Sequence, residues 1–294
     1  MSQILTLKDY RSLINLQPIA SKSVNDQKLS YDTIVRRIAK YFNESSNHRS
    51  LEEQRAFIRH VLTIRDPTPE HHYSNDIYDL IDQILVYERD HVKTLTPVIN
   101  LPIQFKSLPK IRVWRGDITT LIVDAIVNAA NSGLLGCFQP THLCIDNVIH
   151  AAAGPCLRDD CYKIMQKQGQ SEPVGHAKIT SGYNLPAKYV LHTVGPQLYP
   201  GARITQKDAQ QLASCYEACL NLVTEMNNIT SIAFCCISTG LFSFPADHAC
   251  HIAIETVLKW LKQQGSNTKL SLIVFDVFSL EDEQRYVETL KKFL

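Results

Sequence analysis

Two habits of apolar placement alternate between residues 111 and 293. Short β-branched runs at 111–114, 125–128, 177–180, 189–193, 232–237 and 270–275 have the length and composition of buried strands. Between and after them, the stretches 145–153, 156–167, 205–226, 246–264 and 280–293 carry apolar residues at helical spacing with polar outer faces. Strands that alternate with helices of this length predict an α/β fold in which helices cover both sides of one sheet, an α/β/α sandwich of three layers.

Upstream of residue 97 the pattern is helical only. Ser30 precedes a segment, 31–42, with Ile34, Val35, Ile38, Tyr41 and Phe42 on one face. Ser50 and Glu53 stand in capping-box register before Phe57, Ile58, Val61 and Leu62, while Ile77, Ile81, Ile84 and Leu85 follow Asn75 at three- and four-residue spacing. Three such helices predict a small bundle. Pro97, Pro102 and Pro109 read as an extended connection and put a boundary near 95–108. Glycine usage agrees: none of the 11 glycines precedes Gly116, and none of the nine cysteines precedes Cys137. The expected organisation is a small all-helical N-terminal unit, 1–100, followed by an α/β unit, 108–294.

A chain of 294 residues with 45% apolar content has room for one or two cores. Its formal charge of +1 supplies no general field toward nucleic acid or anionic lipid, so neither is expected as a partner and a charged ligand must be recognised locally. No apolar run of ~18 residues exists, and Lys8, Asp9 and Arg11 interrupt the first sixteen positions. A soluble, cytoplasmic protein is the expectation. An odd number of cysteines without a secretion signal predicts reduced thiols or metal ligands rather than a disulfide framework.

Ligands of open α/β sheets bind beyond the carboxyl ends of the strands, which directs attention to three loops. After the first strand, Arg115-Gly116-Asp117-Ile118 exposes a carboxylate beside a backbone amide. Such a pair can read an adenine edge, or Asp117 can cap the turn before Thr119. After the run 232–237, Ser238-Thr239-Gly240-Leu241-Phe242 offers hydroxyls, a glycine and consecutive amides that can cradle a diphosphate, with Phe242 and Phe244 either stacking on the ligand or filling the core. The loop 128–147 places Cys137, His142 and Cys144 within eight residues. Two thiolates and an imidazole suit zinc, and three protein ligands leave a fourth position for water or substrate, as catalytic zinc requires. Cys156 or Cys161, both downstream at helical spacing, would instead close a structural site. Asp146 opens the next helix, either as its cap or to hold a water or a ribose hydroxyl beside the metal. His150, Cys215, Cys219, Cys235, Cys236 and Cys250 fall within helix or strand patterns and read as core.

The segments Val113-Trp-Arg-Gly-Asp-Ile-Thr through Asn128-Ala-Ala-Asn131, Ile149-His-Ala-Ala-Ala-Gly154-Pro, Ala177 through Pro186, His192-Thr-Val-Gly-Pro196 and Ile237-Ser-Thr-Gly240 resemble the macrodomain family across residues 108–294. Within it, the insertion from Gly136 to Asn147 is similar to the zinc-dependent branch, whose members also carry a helical N-terminal extension. The resemblance implies a macrodomain sandwich with a mixed sheet, and a hydrolase that removes mono-ADP-ribose from modified protein side chains, acidic ones foremost. By position it assigns Asp117 and Ile118 to adenine, Phe278 to stacking on that base with Phe275 close by, and Ser238, Thr239, Gly240, Leu241 and Phe242 to the diphosphate and ribose. Asn131 and Asp146 fall to the distal ribose as catalytic residues, Ile145 touches the ligand, and Cys137, His142 and Cys144 hold Zn2+. The alternative is a reader that binds ADP-ribose without turnover, its zinc serving to stiffen the loop.

Overall fold

The computed structural model describes residues 3–16, 29–43 and 49–294; residues 1–2, 17–28 and 44–48 of the expected N-terminal extension lie outside the described residues. Six strands build one sheet: β1 (Ile111–Arg115), β2 (Ala125–Ala130), β3 (Ala177–Ser181), β4 (Tyr189–Val194), β5 (Ser231–Phe234) and β6 (Leu272–Val277). Their spatial order is β1-β6-β5-β2-β4-β3. All neighbours run parallel except β3 and β4, so the sheet is mixed. Parallel strands are covered on both faces, which is why β4 and β6 are buried along their whole length and show no polar alternation.

Nine α-helices are described: α1 (Leu7–Tyr10), α2 (Tyr31–Tyr41), α3 (Leu51–Ile64), α4 (Asn75–Tyr87), α5 (Ile145–Ala153), α6 (Pro155–Gln168), α7 (Gln206–Met226), α8 (Ala246–Gln264) and α9 (Leu280–Lys291). On the sheet, α7 packs on α8 and α8 on α9, while α5 pairs with α6 and lies against β2. In the last two strands the sequence-based boundaries shift. Pairing of β5 ends at Phe234, not at residue 237, because the Cys236 carbonyl turns to accept from the Thr239 hydroxyl at 3.1 Å and Ser238 bends the chain with φ +66°. The last strand lies two residues later than expected, since Ser271 and Leu272 both donate their amides to the Thr230 carbonyl at the strand entrance.

The expected bundle is present as α2, α3 and α4 around Ile34, Val35, Ile38, Ile58, Ile81 and Ile84. Ser30 Oγ accepts the Thr33 amide, and Ser50 and Glu53 exchange the two bonds of a capping box at 3.2 and 2.7 Å. Sequence periodicity did not reveal α1, a single turn whose Leu7 and Tyr10 join the sheet's core together with Ile14 and Leu16. The Tyr10 hydroxyl accepts the Ile179 amide at 3.0 Å and so covers the open edge of β3.

Buried polar contacts dock the bundle on the sheet helices. Arg65, just past α3, pairs with Asp159 of α6 and donates to the Pro155 carbonyl at 3.2 Å, while Tyr78 of α4 donates to the same carboxylate at 2.8 Å. At Gly154, φ is +92° and a Cβ would stand 3.0 Å from both Leu85 and Asn184, so only glycine lets α4 approach this closely. Among the described residues no helix is long and apolar enough to cross a membrane.

Removing the Arg65 guanidinium leaves the Asp159 charge buried without its cation. Arg65→Ala is expected to destabilise the protein by about 3–5 kcal/mol, measured as a fall in the urea midpoint. A loss comparable to that of a solvent-exposed ion pair would mean that the contact does not hold the two parts together.

Candidate active site

Strand order decides how the four chemically informative loops line up. Asp117 follows β1, Phe278 follows β6, the segment 238–242 comes after β5, and Asn131 with the cysteine loop follows β2. These strands are consecutive and parallel in the sheet, so the loops succeed one another along one carboxyl edge. With ~4.8 Å between strands, the row spans about 14 Å.

At one end, Asp117 Oδ1 accepts from the Thr119 amide at 2.9 Å and its hydroxyl at 2.6 Å, the turn-capping contacts foreseen as the plainer role. Oδ2 lies 3.2 Å from Lys93 Nζ. Burial opposes the charge, yet the Thr119 bonds and the Lys93 ammonium outweigh it and hold this carboxyl below the ordinary range. Lys93 comes from the segment that follows the bundle, and no sequence signal marked it. Ile118 is buried. Phe278 is 83% exposed whereas Phe275 is 1% exposed and packed against Phe234 and Tyr286, so only Phe278 has a free face.

In the middle, the Ser238 hydroxyl is buried and has no partner among the described residues. Phe244 returns its amide to the Ser238 carbonyl at 3.0 Å and Ser243 to that of Gly240 at 2.9 Å, which curls the loop and leaves Gly240 and Leu241 exposed at its tip. Phe242 is half-buried, and Phe244 belongs to the core.

The loop after β2 is pinned at several points. Asn131 Oδ1 accepts the Gly133 amide at 2.9 Å and its Nδ2 donates to the Gly136 carbonyl at 2.9 Å. Leu134 is fully buried against Ala130, Cys161 and Val194. Gly136 has φ +81°, and a Cβ there would lie 3.2 Å from both the His150 ring and the Arg158 guanidinium. From α5, Asn147 Nδ2 donates to the carbonyls of Gln139 at 2.7 Å and His142 at 3.0 Å.

Pinned this way, Cys137, His142 and Cys144 bring one ligand atom each to within 4.8 Å of one another, with Cys137 Sγ 3.2 Å from His142 Nδ1. Metal–ligand bonds of ~2.3 Å to sulfur and ~2.0 Å to nitrogen in a tetrahedron need ligand separations of roughly 3.5–3.8 Å, close to this spread. Among the described residues no fourth side chain joins the trio. Cys156 stands elsewhere on α6, and Cys161 Sγ lies 3.7 Å from His192 Nε2, in the interior.

Next to the trio, Asp146 is the second residue of α5 and 4% exposed. It does not cap the helix; Cys144 occupies that position. Asn128 Nδ2 donates to Oδ1 at 2.7 Å, Asn131 Nδ2 reaches Oδ2 at 3.4 Å, and His150 Nε2 lies 3.5 Å from Oδ1. Burial pushes this carboxyl up to about 6. Ile145 is half-buried at the start of the same helix. Asn128 and His192 stood in family-like segments without a role of their own, because they lie inside apolar strands. A fully buried asparagine in such a run is the signal that would have marked it.

An open mixed sheet with a loop row along its carboxyl edge is the arrangement in which α/β proteins place their ligands. A model of the Macro domain matches residues 127–253. A protein of Treponema medium named protein-ADP-ribose hydrolase is 49% identical over 236 residues, 80% of this chain and 87% of its own. One of the same name from Staphylococcus aureus is 53% identical over 182 residues, 61% of this chain and 66% of its own. The Trypanosoma brucei macrodomain solved in complex with ADP-ribose superposes with a TM-score of 0.60 at 29% identity, covering 79% of this chain and 94% of that one. The chain belongs to the macrodomain family.

His192 is fully buried, and desolvation lowers its imidazole to about 3 from an ordinary 6.5. A base whose folded value is depressed takes up protons preferentially when unfolded. Its stabilising contribution is therefore complete above pH 6.5 and declines as pH falls from there toward 3. The expected decline is up to about 1.4 kcal/mol per pH unit. His192→Gln should remove one proton's worth of that slope in urea titrations between pH 7 and 5; an unchanged slope would show that this imidazole is not the group titrating.

Proposed function

We propose that this protein is a metal-dependent hydrolase that releases mono-ADP-ribose from modified protein side chains, acidic ones in the first place. The observation that carries the reading is the convergence of Cys137, His142 and Cys144 beside the buried Asp146, at the end of a loop row in which Asp117 and Phe278 stand at the opposite end. The names of the relatives and the ADP-ribose bound to the trypanosomal macrodomain support it.

In this reading the nucleotide lies along the carboxyl edge. Asp117 accepts from the exocyclic amine of adenine, beside the Ile118 amide, and Phe278 stacks on the base. Ser238, Thr239, Gly240, Leu241 and Phe242 wrap the diphosphate with backbone amides and hydroxyls. Asn131 and Asp146 hold the distal ribose, with Ile145 against it. Asp146 is fixed from two sides by Asn128 and Asn131, and burial raises its carboxyl to about 6, which makes it more basic than an ordinary aspartate while still largely ionised at pH 7. It can thus accept a proton from a hydroxyl or water better than an ordinary aspartate. Cys137, His142 and Cys144 suit zinc, which when bound supplies a Lewis acid for a ribose oxygen or for water. The overall reaction adds water across the ester, giving free ADP-ribose and the restored carboxylate.

Cys137→Ala and His142→Ala, checked for folding by their circular dichroism, should lose turnover of an ADP-ribosylated protein by at least about 100-fold. Their affinity for free ADP-ribose should stay within a few-fold of the wild type. A strong chelator should abolish the wild-type reaction, and added zinc should restore it. Normal hydrolysis by the folded variants rules out the metal role; ADP-ribose binding without turnover in the wild type leaves a reader.

A further inference from the structure

Asp276, next to last in β6, is a buried carboxyl, 6% exposed, to which the reaction gives no task. Its Oδ1 is sealed from solvent, and no donor among the described residues reaches it. A carboxylate so placed has neither water nor a hydrogen bond to support its charge. Burial, with the Asp117 charge adding to it, raises this carboxyl well above the ordinary range. Asp276 therefore keeps its proton under conditions where Asp117, whose Thr119 and Lys93 contacts outweigh its own burial, has lost one.

Strand alternation turns Asp276 away from Phe275, which packs on Tyr286, and toward the side of Phe278, two residues on. Register sets Trp114 of β1 beside it, three residues before Asp117. In the other direction the aligned Phe275, Phe234 and Val127 make Asp276 level with Asn128, two strands away on the same face and thus ~10 Å distant. Asp276 stands under the exposed Phe278 ring, between the Asp117 turn and the residues that orient Asp146. An ionised carboxylate only accepts hydrogen bonds, whereas a protonated one offers an O–H. Two neighbouring carboxyls pushed to opposite protonation states are an acceptor and a donor. Adenine matches them: its exocyclic amine donates and its ring nitrogens accept. With the amine on Asp117 and one ring nitrogen on the Ile118 amide, a base stacked on Phe278 still has N3, the acceptor on its sugar side, to satisfy. We propose, resting on the ADP-ribose reading above, that the Asp276 carboxyl donates to adenine N3 and is a further residue by which the site selects its base.

The test is a calorimetric double-mutant cycle on the full chain, with ADP-ribose and its 3-deazaadenine analogue as ligands and Asp276→Leu and Asp276→Asn as variants. Loss of N3 should weaken binding to the wild type about tenfold. Asp276→Leu should bind ADP-ribose about tenfold more weakly than the wild type and no longer distinguish the two ligands. Asp276→Asn, which keeps a neutral donor, should still prefer ADP-ribose. The urea midpoint of Asp276→Leu should not fall, because Oδ1 has no internal partner to lose. A wild type indifferent to N3 overturns the proposal without recourse to any variant, and so does equal discrimination by the wild type and Asp276→Leu. If Asp276→Leu instead erases a preference for ADP-ribose over its 2′-deoxyadenosine analogue, the carboxyl reads the sugar and the proposal also falls. Because binding alone is measured, ADP-ribose that binds without turnover refutes hydrolysis and still decides the role of Asp276; a chain that binds no ADP-ribose refutes both.

Discussion

The guanidinium of Arg158 lies where the bundle, the metal loop and the sheet helices meet. It donates to the carbonyls of Leu62 at 3.0 Å and Arg65 at 2.9 Å, at the C-terminal end of α3. The Phe138 ring lies 4.7 Å from its Cζ, and Gly136 turns directly over it. Burial, reinforced by the nearby Arg65 charge, lowers Arg158 to about 10, so it remains a cation at neutral pH. A buried cation is costly unless it is well hydrogen-bonded, and helix C-terminal carbonyls are the negative end of a macrodipole. Moving α3 away would strip Arg158 of those carbonyls and leave the Gly136 turn, and with it Cys137, without a floor.

Below the metal loop, a chain of polar contacts reaches from Asp146 into the sheet. Asn128 Nδ2 has two hydrogens, one for Asp146 Oδ1 at 2.7 Å and one for His192 Nδ1 at 3.2 Å. That makes Nδ1 an acceptor and places the His192 proton on Nε2, facing the Thr180 hydroxyl at 3.0 Å. A protonated His192 would have to turn Asn128 around and withdraw a donor from Asp146. The low basicity of this histidine and the orientation of the carboxylate are thus one device: burial keeps the imidazole neutral, and the neutral imidazole keeps Asn128 aimed at Asp146.

How much of this could be read from the chain depends on sequence distance. The three candidate metal donors lie within eight residues on one loop, and the Ser50–Glu53 cap spans three, so both were visible as spacing. Strand identities were visible because buried parallel strands are runs of β-branched residues. The loop row needed the strand order, which spacing does not encode; there the family resemblance supplied the expected residues. Arg158, by contrast, meets carbonyls 93 and 96 positions away, and Lys93 meets Asp117 from the far side of three prolines. Such residues look like ordinary surface cations until the fold is known. Asp117 shows a different limit: its two readings were posed as rivals, yet a carboxylate with Thr119 on Oδ1 and Lys93 on Oδ2 keeps lone pairs free, so capping the turn does not exclude another donor.

The prolines between 97 and 109 mark a change of architecture, but the packing does not respect it. Leu7 and Tyr10 lie in the sheet's core, Lys93 steadies the carboxylate at one end of the loop row, and α3 supplies the carbonyls beneath the metal loop at the other. Each contribution is polar or close-packed, and each replaces something the α/β unit would otherwise need to provide for itself: an edge cap for β3, a counter-charge for Asp117, acceptors for Arg158. The bundle takes over the back of the loop and leaves the front open.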